Sequence, residues 1–232
     1  MKKIYFLVII SILVFSKPVR AQFEGKKFLS GSAQIDFGNN NPEMSQSTNG
    51  YSAGINVNLG KFKTNTRASG WNLAGSIGGQ KAFYQTFTNG SQVNWEKSGI
   101  NLVGAQIGKF WQFYKHFNEK VGVFAGPGVN ATYQNTKSYE PVLEGQYLTE
   151  IKSNSIGLAL GVSAGIYYRL SEKWWIDGSI GFSSPVNINY SITDRKSTGD
   201  FEDFRSKTMS YSLTPSFTFP SVSFGVRYFY NR

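Results

Sequence analysis

The chain has 232 residues, a formal charge of +10, 16% aromatic residues, an equally modest 16% charged residues and no cysteine. That length suits one domain, and the lack of cysteine excludes a disulfide framework, thiolate metal sites and a lipid-modified amino terminus. Beyond the first residues no stretch is long and apolar enough for a membrane helix, yet the abundance of Tyr, Phe, Gly, Ser and Asn with little charge is the composition of a membrane β-barrel.

The amino terminus reads "MKK", then an apolar run from Ile4 to Phe15, then "SKPVRAQ" with Val19 and Ala21 as the small residues of a cleavage site. This is the pattern of a secretory signal peptide, expected to be cut after Ala21; its apolar run falls short of the ~20 residues a spanning helix needs. Residues 1–21 are therefore expected to be removed and 22–232 to form the folded domain. Losing Lys2, Lys3, Lys17 and Arg20 lowers the formal charge from +10 to +6.

From there the sequence alternates. A period of two predicts strands. The first, from Phe28 to Phe37, sets Leu29, Gly31, Ala33, Ile35 and Phe37 against Ser30, Ser32, Gln34 and Asp36. Tyr51, Ala53, Ile55, Val57 and Leu59 mark the second; Trp71, Leu73 and Ile77 mark the third, whose phase blurs near Lys81 and Phe83. The fourth, about Ile100 to Tyr114, has an uncertain phase that suggests a bulge. In the fifth, Val121 to Tyr133, Pro127 cannot donate to a ladder and is expected to mark a bulge beside two glycines. The sixth is "SIGLALGVSAGIYYRL", residues 155–170, with Ile156, Leu158, Leu160, Val162, Ile166 and Tyr168 on one face. It is about three times the ordinary strand length of roughly 5–6 residues. A seventh alternates from Trp174 to Tyr190, and an eighth from about Met209 to Tyr230, its phase broken at Phe219, Pro220 and Ser221. Long polar links are expected after the odd strands, "NNNPEMSQSTNG", "TFTNGSQVNWEK", "NTKSYEPVLEGQYLTEIKSN" and "TDRKSTGDFEDFRSK", and short turns such as "SEK" after the others.

The polar face of these strands carries Ser, Gly, Asn, Gln and Thr. A water-facing surface would carry abundant Lys and Glu, as in a soluble lipocalin-like barrel; small neutral residues instead suit the interior of a narrow eight-stranded barrel. The fold class expected is all-β, an eight-stranded antiparallel up-and-down transmembrane β-barrel. Even strand number and alternating link length put both chain ends in the periplasm. Aromatic girdles are expected at both interfaces: Trp111, Phe113, Tyr114, Trp174, Trp175, Tyr228 and Tyr230 at one end, Phe37, Tyr133, Tyr190 and Tyr211 at the other.

The segments "IGKFWQFYKHFNEKVGVFAGPGV", "YYRLSEKWWIDGSIGFSS" and "FPSVSFGVRYFY" resemble the small bacterial outer-membrane β-barrel domain family of OmpA/OmpX-type architecture, over essentially the whole mature chain. The resemblance implies residence in the outer membrane, contact with its lipid, delivery by the barrel assembly machinery, and a structural or surface-interaction role in adhesion or envelope integrity, without cofactor. The chain runs past its last aromatic to Asn231 and Arg232, where such barrels often end on the aromatic itself.

Candidate chemistry is sparse. The single histidine, His116, sits in the "WQFYKHFNEK" turn, so a Ser-His lipid hydrolase acting at the outer leaflet lacks its base there. Asp194, Asp200, Glu202 and Asp203 fit no Ca²⁺-loop spacing and are interleaved with Arg195, Lys196, Arg205 and Lys207. "GSIGGQ" lies within a strand and opens no helix, so it is no phosphate loop. Bases concentrate at the expected periplasmic end while acids slightly outnumber bases in the outer loops, which argues against a nucleic-acid or other polyanion partner. Arg169, Asp177 and Arg227 all fall on the inward face near the periplasmic end and are expected to share one ion network. The function expected is non-catalytic; a narrow channel for small solutes along the glycine-rich face of Gly157, Gly161, Gly165 and Gly181 is the alternative.

Overall fold

Strand-length alternation does become sheet. The computed structural model describes residues 23–41, 46–88, 91–141, 148–181, 186–196, 203–213 and 221–230. The segment expected to be the signal peptide lies outside them, as do Phe182, Asp200, Glu202, Phe219 and Pro220. Ten antiparallel strands form one sheet: β1 (Lys27–Asn40), β2 (Thr48–Thr64), β3 (Arg67–Thr88), β4 (Ser91–His116), β5 (Val121–Pro141), β6 (Leu148–Arg169), β7 (Trp174–Gly181), β8 (Val186–Lys196), β9 (Phe204–Leu213) and β10 (Ser221–Tyr230).

Pairing runs from β1 through β2, β3, β4, β5, β6 and β7 to β10, and β10 returns to β1. The ladder is therefore a ring of eight. The expected seventh strand is realised as β7 and β8, which both pair with β6 one above the other, and the expected eighth as β9 and β10. Above Gly31↔Val226 the described part of β1 pairs with β2 alone, and β9 with β8 alone.

Three local expectations can be compared with the register. The ambiguous fourth strand does carry a bulge: Gly78 faces Leu102 and Gly79 faces Ile100, so Asn101 is the extra residue, two positions from Gly99, whose φ of +130° favours glycine. Pro127 is corrected from a bulge to a gap. The β4–β5 ladder lapses between Phe110↔Gly128 and Phe113↔Ala125 and resumes in the same register, while Pro127 stays aligned with Val162 on β6; a missing N–H interrupts one ladder without inserting a residue. The long polar links are corrected too. Most of "TFTNGSQVNWEK" and "NTKSYEPVLEGQYLTEIKSN" is strand, with β3–β4 paired out to Thr88↔Ser91 and β5–β6 to Pro141↔Leu148.

The two faces of the sheet divide as an inverted globule. Outward positions are apolar and exposed, among them Ile35, Ile55, Ile107, Leu158 and Ile166, with Ile156 61% and Phe37 82% accessible. Inward positions are polar over most of the height and aromatic at the end that carries the short turns. Trp175, 1% exposed, and Tyr114 also point inward, which removes them from the girdle; Trp111, Phe113 and Trp174 remain on the outside.

Candidate functional site: an aromatic plug beneath an amide-lined hollow

At the turn end, the residues ahead of β1 fold back across the mouth of the ring. Asn65, in the β2–β3 turn, accepts at Oδ1 from the amides of Phe23 and Glu24 (2.8 and 3.1 Å), and the Gly25 amide donates to the Phe62 carbonyl at 3.0 Å. This inserts the Phe23 ring among Phe62, His116 and Trp175, at centroid distances of 5.5, 4.8 and 5.1 Å. Phe28, Tyr114, Phe124, Tyr167 and Phe229 complete the cluster. Trp175 stacks on Tyr167 at 4.3 Å and lies 4.4 Å from Phe229.

Glycine makes room for these rings in a narrow barrel. Phe28 faces Gly60 in register, Tyr167 faces Gly122 and Phe124 faces Gly165, and in each pair a methyl on the glycine would overlap the ring. Gly165, read from the sequence as part of a water path, is thus covered by Phe124.

His116 is buried within the plug. Its Nε2 lies 2.7 Å from the Asn65 carbonyl, which can only accept, so Nε2 carries the proton and Nδ1 takes the Tyr167 hydroxyl. Burial pulls its pKa below the ordinary value, against a smaller opposite effect of the Asn65 carbonyl.

Of the three residues expected to form an ion network, two meet. Asp177 Oδ2 and Arg227 Nη2 are 3.6 Å apart on β7 and β10. Arg227 is 2% exposed, donates to the Tyr114 hydroxyl, and lies over the Phe28 ring at 4.3 Å. Arg169 does not join them: it pairs in register with Trp175, and its Nε donates to the Ser171 carbonyl at 3.3 Å. A side chain at the strand end finds the turn beside it more readily than a partner across the plug. Among the described residues, Asp177 Oδ1, Arg227 Nε and Trp175 Nε1 are buried without a hydrogen-bond partner.

Above the plug the ring is hollow. A cavity of about 350 Å³ has Phe28, Phe110, Phe124, Asp177 and Arg227 at its floor, and Asn56, Asn58, Asn72, Gln106 and Asn130 in its wall. A second, of about 420 Å³, shares Asn56 and Gln106 with it and continues to Gln34, Ser76, Thr132 and Gln134. The wall amides form a relay: Asn72 Nδ2 donates to Asn56 Oδ1 (2.7 Å) and Asn58 Oδ1 (2.8 Å), and Gln106 Nε2 donates to Asn72 Oδ1 (2.7 Å) and Asn130 Oδ1 (3.4 Å).

Beyond the apolar band, the tall hairpins carry ion pairs: Lys137 and Lys152 on Glu150 at 2.7 and 2.9 Å, Arg195 on Glu140, and Arg205 on Asp194. Hydrogen bonding from Lys137, helped by Lys152, holds the Glu150 carboxyl well below the usual range, at about 2. Asp194, considered above as part of an acidic cluster, is thus the partner of an arginine.

The sequence foretold an interior lined and filled by small polar residues but missed that aromatic rings do the plugging, because Tyr114 and Trp175 read as interface aromatics. The available signal was the glycine set opposite each ring on the neighbouring strand.

No protein-family model and no curated protein matches the chain. Among solved structures it is similar to the outer membrane protein OprG from Pseudomonas aeruginosa, at 14% identity over 92% of this chain and 100% of that one, with a TM-score of 0.46.

Proposed function

We propose that this protein is an integral outer-membrane β-barrel, closed to solutes, with a structural or surface-interaction role and no catalysis. The observation that carries the membrane assignment is the inverted partition of side chains. A continuous outer belt of exposed Ile, Leu, Val, Phe and Trp would be an aggregation surface in water, whereas in lipid it is stabilising, and where the eight strands close into a ring, at the turn end, no sheet edge is left open to it. The turn end then faces the periplasm and the tall hairpins face outward. The packed rings of Phe23, Phe62, Tyr114, Tyr167 and Trp175 support closure against the channel reading; the hollow above them is the one observation favouring conduction.

Both points are testable. The refolded protein should show no stable unitary conductance in planar bilayers, and steady openings would favour the channel. Because the chain has no cysteine, single substitutions report topology cleanly. Ser91→Cys should react with a membrane-impermeant maleimide on intact cells, and Glu119→Cys only after the outer membrane is opened. The reverse pattern would invert the barrel and expose its lysine-rich end, making a polyanion partner the better reading.

A further inference from the structure

We infer that the hollow above the plug is a blind binding cup for a neutral, hydroxyl-rich small molecule, such as a single sugar ring, entering from the loop end. The inference rests on the closed barrel proposed above and names what its interior would hold.

Size and closure come first. The lower cavity, about 350 Å³, lies within the range of small-molecule pockets, and the aromatic plug ends it below. A solute admitted from the loop side therefore stops at the floor.

The wall decides the chemistry. Its side-chain functional groups are mostly carboxamides, joined by the hydroxyls of Ser30 and Ser163, which carry no charge and offer donors and acceptors; Lys109 also borders the cavity but holds its ammonium over the outward Trp71. The relay consumes the donors of Asn72 and Gln106, while the Asn56, Asn58 and Asn130 carboxamides enter it as acceptors and keep their NH₂ groups for other partners. A hydroxyl, which both donates and accepts, matches such a wall; a hydrocarbon would leave it unsatisfied. At the floor, the partly buried Phe110 presents apolar ring surface, backed by the buried Phe28 and Phe124.

The floor bears on the charge of an occupant. Asp177 and Arg227 border the cavity there as a pair, Oδ2 to Nη2 at 3.6 Å, with Asp177 Oδ1 and Arg227 Nε buried away from it. Because the carboxylate and the guanidinium already neutralise each other, a net charge on the ligand gains little and would face one like charge at close range.

The test uses the full mature barrel refolded in detergent micelles, with folding checked by its altered gel migration before boiling. Glucose, glucuronate and glucosamine share one ring and differ in charge. Saturable binding of glucose, followed by calorimetry and by shifts of the Asn and Gln side-chain amide resonances, is expected, with both charged rings weaker. Gln106→Leu should weaken glucose by roughly tenfold, the loss of about one hydrogen-bonded contact, and Lys97→Ala, on the β3–β4 hairpin opposite Ala82, should leave it unchanged. Competition by a glucose-terminated dextran would make the natural source a glycan end; none would make it a free sugar. A folded, non-conducting barrel that binds no neutral sugar, prefers a charged one, or is indifferent to Gln106→Leu overturns the cup while leaving the closed barrel intact. A conducting barrel overturns the closed barrel itself.

Discussion

The turn end and the loop half of this barrel are built on the same alternating backbone and filled in opposite ways. Below, inward positions hold large rings set against in-register glycines, and the interior is as dry as a globular core. Above, they hold Asn, Gln, Ser and Thr, and the interior is a cavity bordered by hydrogen bonds. Strand periodicity therefore fixes which face is inside but not what the inside is. Whether a narrow barrel is sealed depends on residue volume at successive levels: a ring with a facing glycine fills the width, and two facing amides do not.

If that contrast is right, stability should be concentrated at the turn end. Trp175→Ala removes a side chain in contact with Phe23, Tyr167 and Phe229 and should cost ~3–5 kcal/mol, read from urea unfolding in micelles; a loss no greater than for a lumen amide would erase the distinction. Asp177→Ala strands the Arg227 guanidinium in the plug and should cost about 3 kcal/mol. Pairing it with Arg227→Met should recover most of the loss, because an apolar pair of similar volume leaves no buried charge. In the hollow, Asn72→Ala breaks three bonds of the relay, yet water can reach the freed groups, so the expected cost is only ~1–2 kcal/mol.

Acid should separate the two regions with the smallest effects. His116 has a folded pKa below its unfolded value near 6.5, so its contribution is complete above that value and fades as pH falls through the lower, folded one. Glu150 also has a lowered folded pKa, about 2 against 4.5, and its contribution fades only between those values, weakened by solvent screening. The melting temperature should thus fall in two stages, the first absent in His116→Gln and the second in Glu150→Gln. Coincident stages would mean that the plug and the hairpins do not titrate separately.

The fold was legible in the sequence because outward positions repeat Ile, Leu and Val in register for whole strands, as from Ile156 to Leu170. The inward positions were less so. Tyr167, Tyr168, Trp174 and Trp175 are adjacent aromatic pairs, and only the pleat assigns Tyr167 and Trp175 to the plug and Tyr168 and Trp174 to the outside. Asp177, Arg169 and Arg227 were recognisable as inward residues of one end, but the partner was not: the short turn at Glu172 pointed to Arg169, whereas the pairing of β7 with β10, which no short turn sets, brings Arg227 to Asp177. Phe23 was not, since its place depends on a chain reversal held by Asn65, a contact 42 residues away in sequence. The tall hairpins were hidden by composition: "TNGSQVNWEK" has loop residues, but cross-strand pairing tolerates them where the outward apolar band has ended.

That last feature sets a standoff distance. On β4 the outward apolar residues begin at Ile100, and Ser91–Gly99 continue as paired strand, about 20 Å further at the usual rise and tilt. In the membrane setting proposed above, a tip carried on a laddered stalk would be held at a set height over the lipid, where a tether of the same length would sweep a volume. In the proposed outer-membrane setting, anything approaching from outside would meet the hairpin crowns before the bilayer.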